Sequence, residues 1–209
     1  NNIISNGGRL ITETNKNYTT HFQLPVHSKN LFNYPSIANK LKKIIKNQNI
    51  NIVHVRSRAP AWMLSFIKNK NFRTISTFHN VYSGNSYFKK IYNKQLSKVD
   101  QIVAISNYVK NSICSKYNLD SKKIKVINRG VDVKYFEKQI LDSEIDKIIN
   151  KFQTDISKKL ILYPARLTNW KGQIEFLEIF NKMENRDFLL YFVGDTKNQS
   201  YTEKLQNKI

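Results

Sequence analysis

An α/β fold built on parallel strands is what this sequence predicts, and three observations carry that prediction. Short runs rich in β-branched residues alternate with longer amphipathic stretches along most of the 209 residues. Strand, helix, strand, helix in that order calls for parallel pairing. Glycine is sparse, at 6 in the chain, and five of the six (Gly7, Gly8, Gly130, Gly172 and Gly194) fall at strand-to-helix transitions or at a junction. Glycine carries an entropic cost and is kept where the backbone needs a left-handed φ or a close approach. Ligands of doubly wound sheets bind at the carboxyl ends of strands, so these positions are either ordinary turns or the rim of a site.

The elements follow in order. Asn2–Ser5 reads as a strand, and Ser36–Lys46 as an amphipathic helix with Ile37, Leu41, Ile44 and Ile45 on one face. Ile50–Val55 is a strand, followed by a helix over Ala61–Lys68 with Pro60 at its first turn. Arg73–Phe78 is the next strand and Phe88–Leu96 the next helix. Asp100–Ile105 is a strand, after which Ser106 caps a helix running to Lys116. Lys125–Ile127 is short and extended. The pattern pauses over Asn128–Gln139, where Arg129-Gly130-Val131-Asp132 forms a turn, and Asp132 reads as a turn cap. A polar helix over Ser143–Phe152 precedes a second series: strand Lys159–Ala165, helix from about Gly172 to Met183, strand Phe188–Gly194. A junction near 129–140 divides the chain into domains of residues 1–130 and 131–209. His21 and His27 carry no motif and read as loop residues.

Composition narrows the class. With 40% hydrophobic and 12% aromatic residues the chain is globular, and 6 Gly with 4 Pro exclude collagen-like and low-complexity classes. No apolar run approaches the ~20 residues of a membrane span. The opening Asn1-Asn2-Ile3-Ile4 has neither the basic start nor the apolar stretch of a signal peptide. The single Cys114 excludes a disulfide within the chain and a cysteine-cluster metal site, and fits a reducing, cytoplasmic compartment. The chain starts without Met and stops at Ile209 in what reads as a helix, the signature of a piece from a longer protein.

The net charge is +20, from 35 Lys and Arg against 15 Asp and Glu; 28 of the cations are Lys, beside 26 Asn. Lys and Asn enriched together point to compositional bias, and the resulting positive potential favours anionic partners. The lysines are scattered, so no basic tail is indicated. No ribonucleoprotein motif, helix-turn-helix pattern or basic block marks a nucleic-acid binder, and no nucleic-acid partner is expected.

Ala165-Arg166-Leu167-Thr168-Asn169-Trp170-Lys171-Gly172 is the strongest chemical constellation. A strand ends, a short loop carries Arg and Lys, and a helix begins. Helix N-termini offer free N–H groups and partial positive charge, Arg a planar fork and Lys a point charge, a combination suited to a diphosphate. The alternative is two solvated surface cations. His54-Val55-Arg56-Ser57-Arg58-Ala59-Pro60-Ala61-Trp62 sets two Arg at a strand end: loop cations, or contacts to a phosphate or carboxylate. His79 ends a strand, as a structural group or as a donor to a sugar.

These segments resemble glycosyltransferase family 4. The Arg166–Lys171-Gly172 loop, with Gln173 and an apolar helix after it, is one match; Lys125-Val126-Ile127-Asn128-Arg129-Gly130-Val131-Asp132 with Phe136 resembles that family's domain-joining segment. Asp100-Gln101-Ile102-Val103-Ala104-Ile105-Ser106, Thr77-Phe78-His79 and Phe192-Val193-Gly194-Asp195 complete five matches from about residue 50 onward. The resemblance implies a GT-B fold of two Rossmann-like, doubly wound parallel-sheet domains, both truncated here, an acceptor-side domain first and a nucleotide-sugar-binding domain second. It implies transfer of a sugar from a nucleotide-diphospho-sugar to a glycan or lipid-linked acceptor, with retention of configuration, no metal and no cofactor, the nucleotide-sugar being a substrate. Arg166 and Lys171 match the positions that grip the donor diphosphate and stabilise the leaving group. Gly130 and Gly172 line the donor side, and Gly7, Gly8, Arg56, Arg58 and His79 are candidates on the acceptor side. In many relatives a His stands where this chain has Arg56, which points to a different acceptor contact. The run Arg-Ser-Arg-Ala-Pro-Ala-Trp resembles a bacterial subgroup of lipopolysaccharide assembly, and so implies an enzyme on the inner face of the cell membrane, docked on anionic lipid through helices such as Lys40–Lys46. The family's pair of Glu with seven residues between them lies further along its second domain, so the piece alone is expected to be inactive. A basic nucleic-acid-binding module and a GT-B-fold sugar epimerase are the competing readings.

Overall fold

The computed structural model describes every residue except 15–17, 69, 85, 185 and 186, together with the side chain of Arg9. The chain forms two compact units, Asn1–Val131 and Asp132–Ile209.

In the first unit, β1 (Asn2–Ser5) pairs in parallel with β2 (Thr20–Gln23). β2 is absent from the sequence reading because it is four residues long and lacks an apolar run. His21 therefore lies in a strand, not a loop, with its Nε2 2.8 Å from the Ser5 hydroxyl across the pair. Helix α1 (Tyr34–Asn47) follows, with Pro35 in its first turn, where the missing N–H costs no helical bond. Its Tyr34, Ile37, Ala38, Leu41 and Ile45 are buried, a 3.6-residue stripe facing the core.

The main sheet is then laid down in chain order: β3 (Ile52–Val55), α2 (Arg58–Ser65), β4 (Arg73–Phe78), α3 (Tyr87–Lys94), β5 (Gln101–Ala104), α4 (Asn107–Tyr117) and β6 (Ile124–Val126). All neighbouring strands are parallel, in the order β3-β4-β5-β6. Helix α2 starts three residues before the expected Ala61, because a proline fits anywhere in a first turn and extended Ser57 supplies the entry. Helix α4 begins as expected: the Ser106 hydroxyl accepts from the Val109 N–H. It ends at Asn118 in the left-handed region, a conformation Asn tolerates better than most residues.

β4 is one of the two inner strands, and four of its six residues are buried. Fully buried Phe78 packs against Tyr82 and Tyr117, burial worth roughly 2 kcal/mol for such a side chain. At the amino end of the sheet, Asp100 ties β4 to the start of β5. Its Oδ2 accepts from the Thr74 N–H at 2.7 Å and the Thr74 hydroxyl at 2.8 Å, while its own N–H donates to that hydroxyl at 3.0 Å. Those bonds, with the nearby Arg73 guanidinium, hold its carboxyl below the usual carboxylate range.

The second unit contains α5 (Val133–Phe136), α6 (Asp142–Phe152), β7 (Lys159–Pro164), α7 (Gln173–Phe180), β8 (Phe188–Val193) and α8 (Gln199–Gln206). Asp132 caps α5, its carboxylate accepting from the Tyr135 N–H. β7 and β8 pair in parallel from Lys159 opposite Phe188 to Pro164 opposite Val193. Leu167, Leu177, Tyr201 and Leu205 form the buried core, with Ile174, Leu190 and Phe192 packed against it. Helix α8 closes at Gln206 with Asn207 as its C-cap, so the helical reading of the last residues stops three short of Ile209. Among the described residues no helix is long and apolar enough to cross a membrane.

Asp100→Ala should cost about 1 kcal/mol, the value of a charge-assisted bond discounted for a half-exposed carboxylate, read as a lower urea midpoint. Because the native carboxyl titrates below its ordinary 3.8, this contribution is present above about pH 4 and is lost as the pH falls further. The variant should therefore differ least from the parent in the most acidic buffers.

Candidate functional site

In the second unit the loop after β7 is built as the sequence suggests. Asn169–Lys171 makes one 3₁₀ turn, Gly172 takes φ 75°, and α7 starts at Gln173. A side chain at 172 would be strained in that left-handed conformation, and glycine removes the strain. Arg166 is exposed and Lys171 half-buried. The Lys171 ammonium lies 4.3 Å from the centroid of the exposed Trp170 ring. The Tyr163 hydroxyl donates to the Lys171 carbonyl at 2.5 Å, which fixes the loop's far end to β7.

Gln173 belongs to the motif as the sequence shows it, but only the structure gives it a role. Its side chain is fully buried. The amide Nε2 donates to the Arg166 carbonyl at 3.0 Å, and Oε1 accepts from the Tyr201 hydroxyl at 3.2 Å. The Tyr201 oxygen in turn accepts from the Ile174 N–H at 3.3 Å. A polar chain thus runs from α8 through the first turn of α7 to the backbone that carries Arg166. The only sequence signal for it is a Gln directly after the Lys-Gly pair.

Gly194 and Gly130 differ from each other. A Cβ on Gly194 would overlap the Ala165 carbonyl oxygen, so the ends of β7 and β8 touch backbone to backbone there. The ladder continues past the strands, with the Leu167 N–H donating to the Asp195 carbonyl at 3.1 Å. Gly130 has no left-handed φ, and a Cβ there would meet no atom within 4 Å, so nothing among the described residues requires glycine at that position.

In the first unit the loops after β3, β4 and β6 bring Arg56, His79 and Arg129 together. The Arg56 Nε donates to His79 Nε2 at 3.2 Å, and Arg129 Nη2 lies 3.0 Å from His79 Nδ1. His54 Nε2 sits 2.8 Å from the buried Thr77 hydroxyl. Burial lowers the His79 pKa first, and Arg56, Arg129 and His54 lower it further. Burial, then Arg56, lowers that of His54. Arg58 is engaged elsewhere. Its Nη1 donates to the buried Asn93 Oδ1 at 2.7 Å, and its guanidinium stacks 4.3 Å from the Tyr82 centroid. Asn93 in turn donates to the Ser83 carbonyl, so Arg58 buttresses the segment after β4, and its fold already uses much of its hydrogen-bonding capacity. Gly7 and Gly8 follow β1 with φ of 105° and 132°, and lead into a 3₁₀ turn at Arg9–Ile11. Among the described residues no group of three His, Cys, Asp or Glu could hold a metal ion.

Comparison with known proteins adds the lineage. Residues 3–135 match Glycosyltransferase Family 4. A glycosyltransferase of Rickettsia africae, known as a crystal structure, is 37% identical and superposes with a TM-score of 0.84 over 100% of this chain and 56% of its own. Spore coat protein SA of Bacillus subtilis is 25% identical over 72% of this chain and 41% of its own length. Anabaena Alr3699/HepE, solved in complex with UDP, superposes with a TM-score of 0.74 at 14% identity, over 100% of this chain and 65% of its own. That last likeness is one of fold, and the α/β architecture is that of GT-B glycosyltransferases. The chain spans roughly half the length, or less, of the first two relatives.

Gln173→Leu keeps the volume and removes both bonds, leaving the Arg166 carbonyl and the Tyr201 hydroxyl without their partner. It should cost about 2–3 kcal/mol in urea unfolding followed at Trp170 in a Trp62→Phe background, whereas Thr168→Ala on the same loop should cost under about 0.5 kcal/mol. The two depressed histidines set a pH dependence. Unfolding lets them bind protons they refuse when folded, so stability is full above their ordinary 6.5 and falls as the pH drops below it. Thermal melts from pH 8 to pH 5 in buffers without phosphate should show that decline, and a His54→Asn/His79→Asn double variant should flatten it.

Proposed function

The chain belongs to glycosyltransferase family 4, and on that premise we propose that the protein of which it forms part transfers a sugar from a nucleotide-diphospho-sugar to a glycan or lipid-linked acceptor. The observation that carries this reading is the β7–α7 loop, where Arg166 follows the end of the strand and Lys171 directly precedes the Gly172 cap of the helix. A leaving nucleoside diphosphate gains negative charge as the glycosidic bond breaks. Two cations and the partial positive charge of a helix start oppose that charge most strongly in the transition state, which lowers the barrier. Gln173 acts as a positioning residue: it holds the Arg166 backbone to α7, so the loop need not be ordered when substrate arrives. Gly172 supplies the turn between Lys171 and the helix, and Gly130 stands beside the donor as part of the joining segment.

The cations do the work that a divalent metal does in other transferases, so the reaction proceeds without one. Retention of configuration, and a role in envelope polysaccharide or lipopolysaccharide assembly, complete the proposal. On the acceptor side stand Gly7, Gly8, Arg56 and His79, while Arg58 supports them from beneath. The Lys-rich surface, α1 included, would hold the enzyme on the anionic inner face of the cell membrane without crossing it.

In the complete protein, Arg166→Ala and Lys171→Ala should each lower turnover of the donor by ~10² or more, the scale of losing one stabiliser of developing charge. Near-normal turnover in both variants sinks the diphosphate assignment. Flotation with liposomes tests the membrane part: the protein should rise with anionic vesicles and stay behind with neutral ones.

A further inference from the structure

We propose that Arg56, His79 and Arg129 form a phosphate-binding subsite, and that the phosphate it takes is borne by the sugar acceptor. The second part rests on the glycosyltransferase reading above; the first rests on the geometry alone.

The geometry contains a hydrogen-bonding conflict. Both nitrogens of the His79 ring face guanidinium groups, at 3.2 Å from Arg56 and 3.0 Å from Arg129. A guanidinium only donates. A neutral imidazole has one acceptor nitrogen and one N–H, so it can satisfy one arginine and must point a donor at the other. An imidazolium would point donors at both and add a third positive charge. No protonation state of His79 satisfies the cluster.

Its surroundings do not help. Among the described residues, the charged and titratable groups that act on the ring are Arg56 and His54 from β3 and the loop after it, and Arg129 from the segment after β6, with no carboxylate beside them. None of the ion pairs among the described residues involves Arg56 or Arg129. Both arginines are exposed and His79 is half-buried, so the cluster opens to solvent. Arg58, two residues from Arg56, shows the contrast: it has Asn93 and two tyrosine faces as partners.

A phosphate resolves the conflict. Two planar forks can each give it paired N–H bonds, and a protonated His79 adds a third donor. Two fixed positive charges match a dianion better than a single carboxylate. The three groups come from loops that follow three different parallel strands, at the end of the sheet where such folds receive ligands. Phosphate binding and protonation of His79 are therefore coupled, each favouring the other.

The test follows the ring nitrogens of His79 by NMR in the complete protein, its resonances assigned by their loss in His79→Asn. Inorganic phosphate should raise the titration midpoint of His79 by about one unit or more, as an opposite charge within contact distance does. Arg56→Gln and Arg129→Gln should each weaken phosphate binding by about tenfold or more, the loss of one charge-assisted contact. An equal shift from chloride at matched ionic strength would be general screening and overturns the site, as does a shift that survives the double Arg variant. Hexyl phosphate stands in for a lipid-borne group and should bind at least as tightly as inorganic phosphate; exclusion of the ester overturns the assignment to the acceptor. UDP titrated in parallel, read at Trp170, separates the two readings. Failure of UDP with a responsive His79 removes the donor assignment alone, whereas bound UDP beside a silent His79 removes this one alone.

Discussion

Parallel pairing is the constraint on which the rest of this structure depends. Two parallel neighbours cannot be joined by a tight turn, so each connection must return across a face of the sheet, in the main sheet as a helix. Every segment that leaves a strand's carboxyl end therefore emerges at the same edge. Arg56 after β3, His79 after β4 and Arg129 after β6 meet there although 23 and 50 positions separate His79 from its two neighbours. The same rule brings the end of β7 against the end of β8, with Gly194 removing the side chain that would collide with Ala165.

The opposite end of the sheet does a different job. Asp100, the first residue of one of the family-like segments, satisfies Thr74 at the start of β4 and so holds two strand beginnings together. Its carboxylate faces away from the edge that collects the basic loops. Asp100 serves the frame, whereas Arg56 and Arg129 at the other edge take part in none of the ion pairs among the described residues. A positive rim in a chain of net charge +20 attracts anions in general, and only the fixed geometry of forks and helix starts turns attraction into selection.

The strand ends also explain why glycine, arginine and lysine cluster in the segments that resemble a known family. Glycine is needed at 172 for a left-handed turn and at 194 for contact of backbones, two separate physical demands. At 130 neither demand exists among the described residues. The cations at 166 and 171 stay available because the backbone around them is held by neutral groups: Gln173, Tyr201 and Tyr163. A carboxylate in any of those places would have neutralised the loop it supports.

Most elements could be read from the residues in order, because alternation and caps are local. Ser106 and Asp132 cap the helices that follow them, and the stripe of Ile37, Leu41 and Ile45 faces the core as its spacing requires. The short β2 escaped because four mostly polar residues in a pair carry no periodic signal. The lineage was legible too, since it rests on short motifs in a fixed order. What the sequence could not decide is which of two neighbouring arginines stays at the rim. Arg56 and Arg58 are equivalent on paper, and only the packing of Asn93, Tyr82 and Tyr92, at least 24 positions away, engages one and leaves the other at the rim. Likewise Gln173 is one polar residue among many until α8 closes over it. Local chemistry determines what an element is; burial by distant residues decides which of its side chains remain to do chemistry.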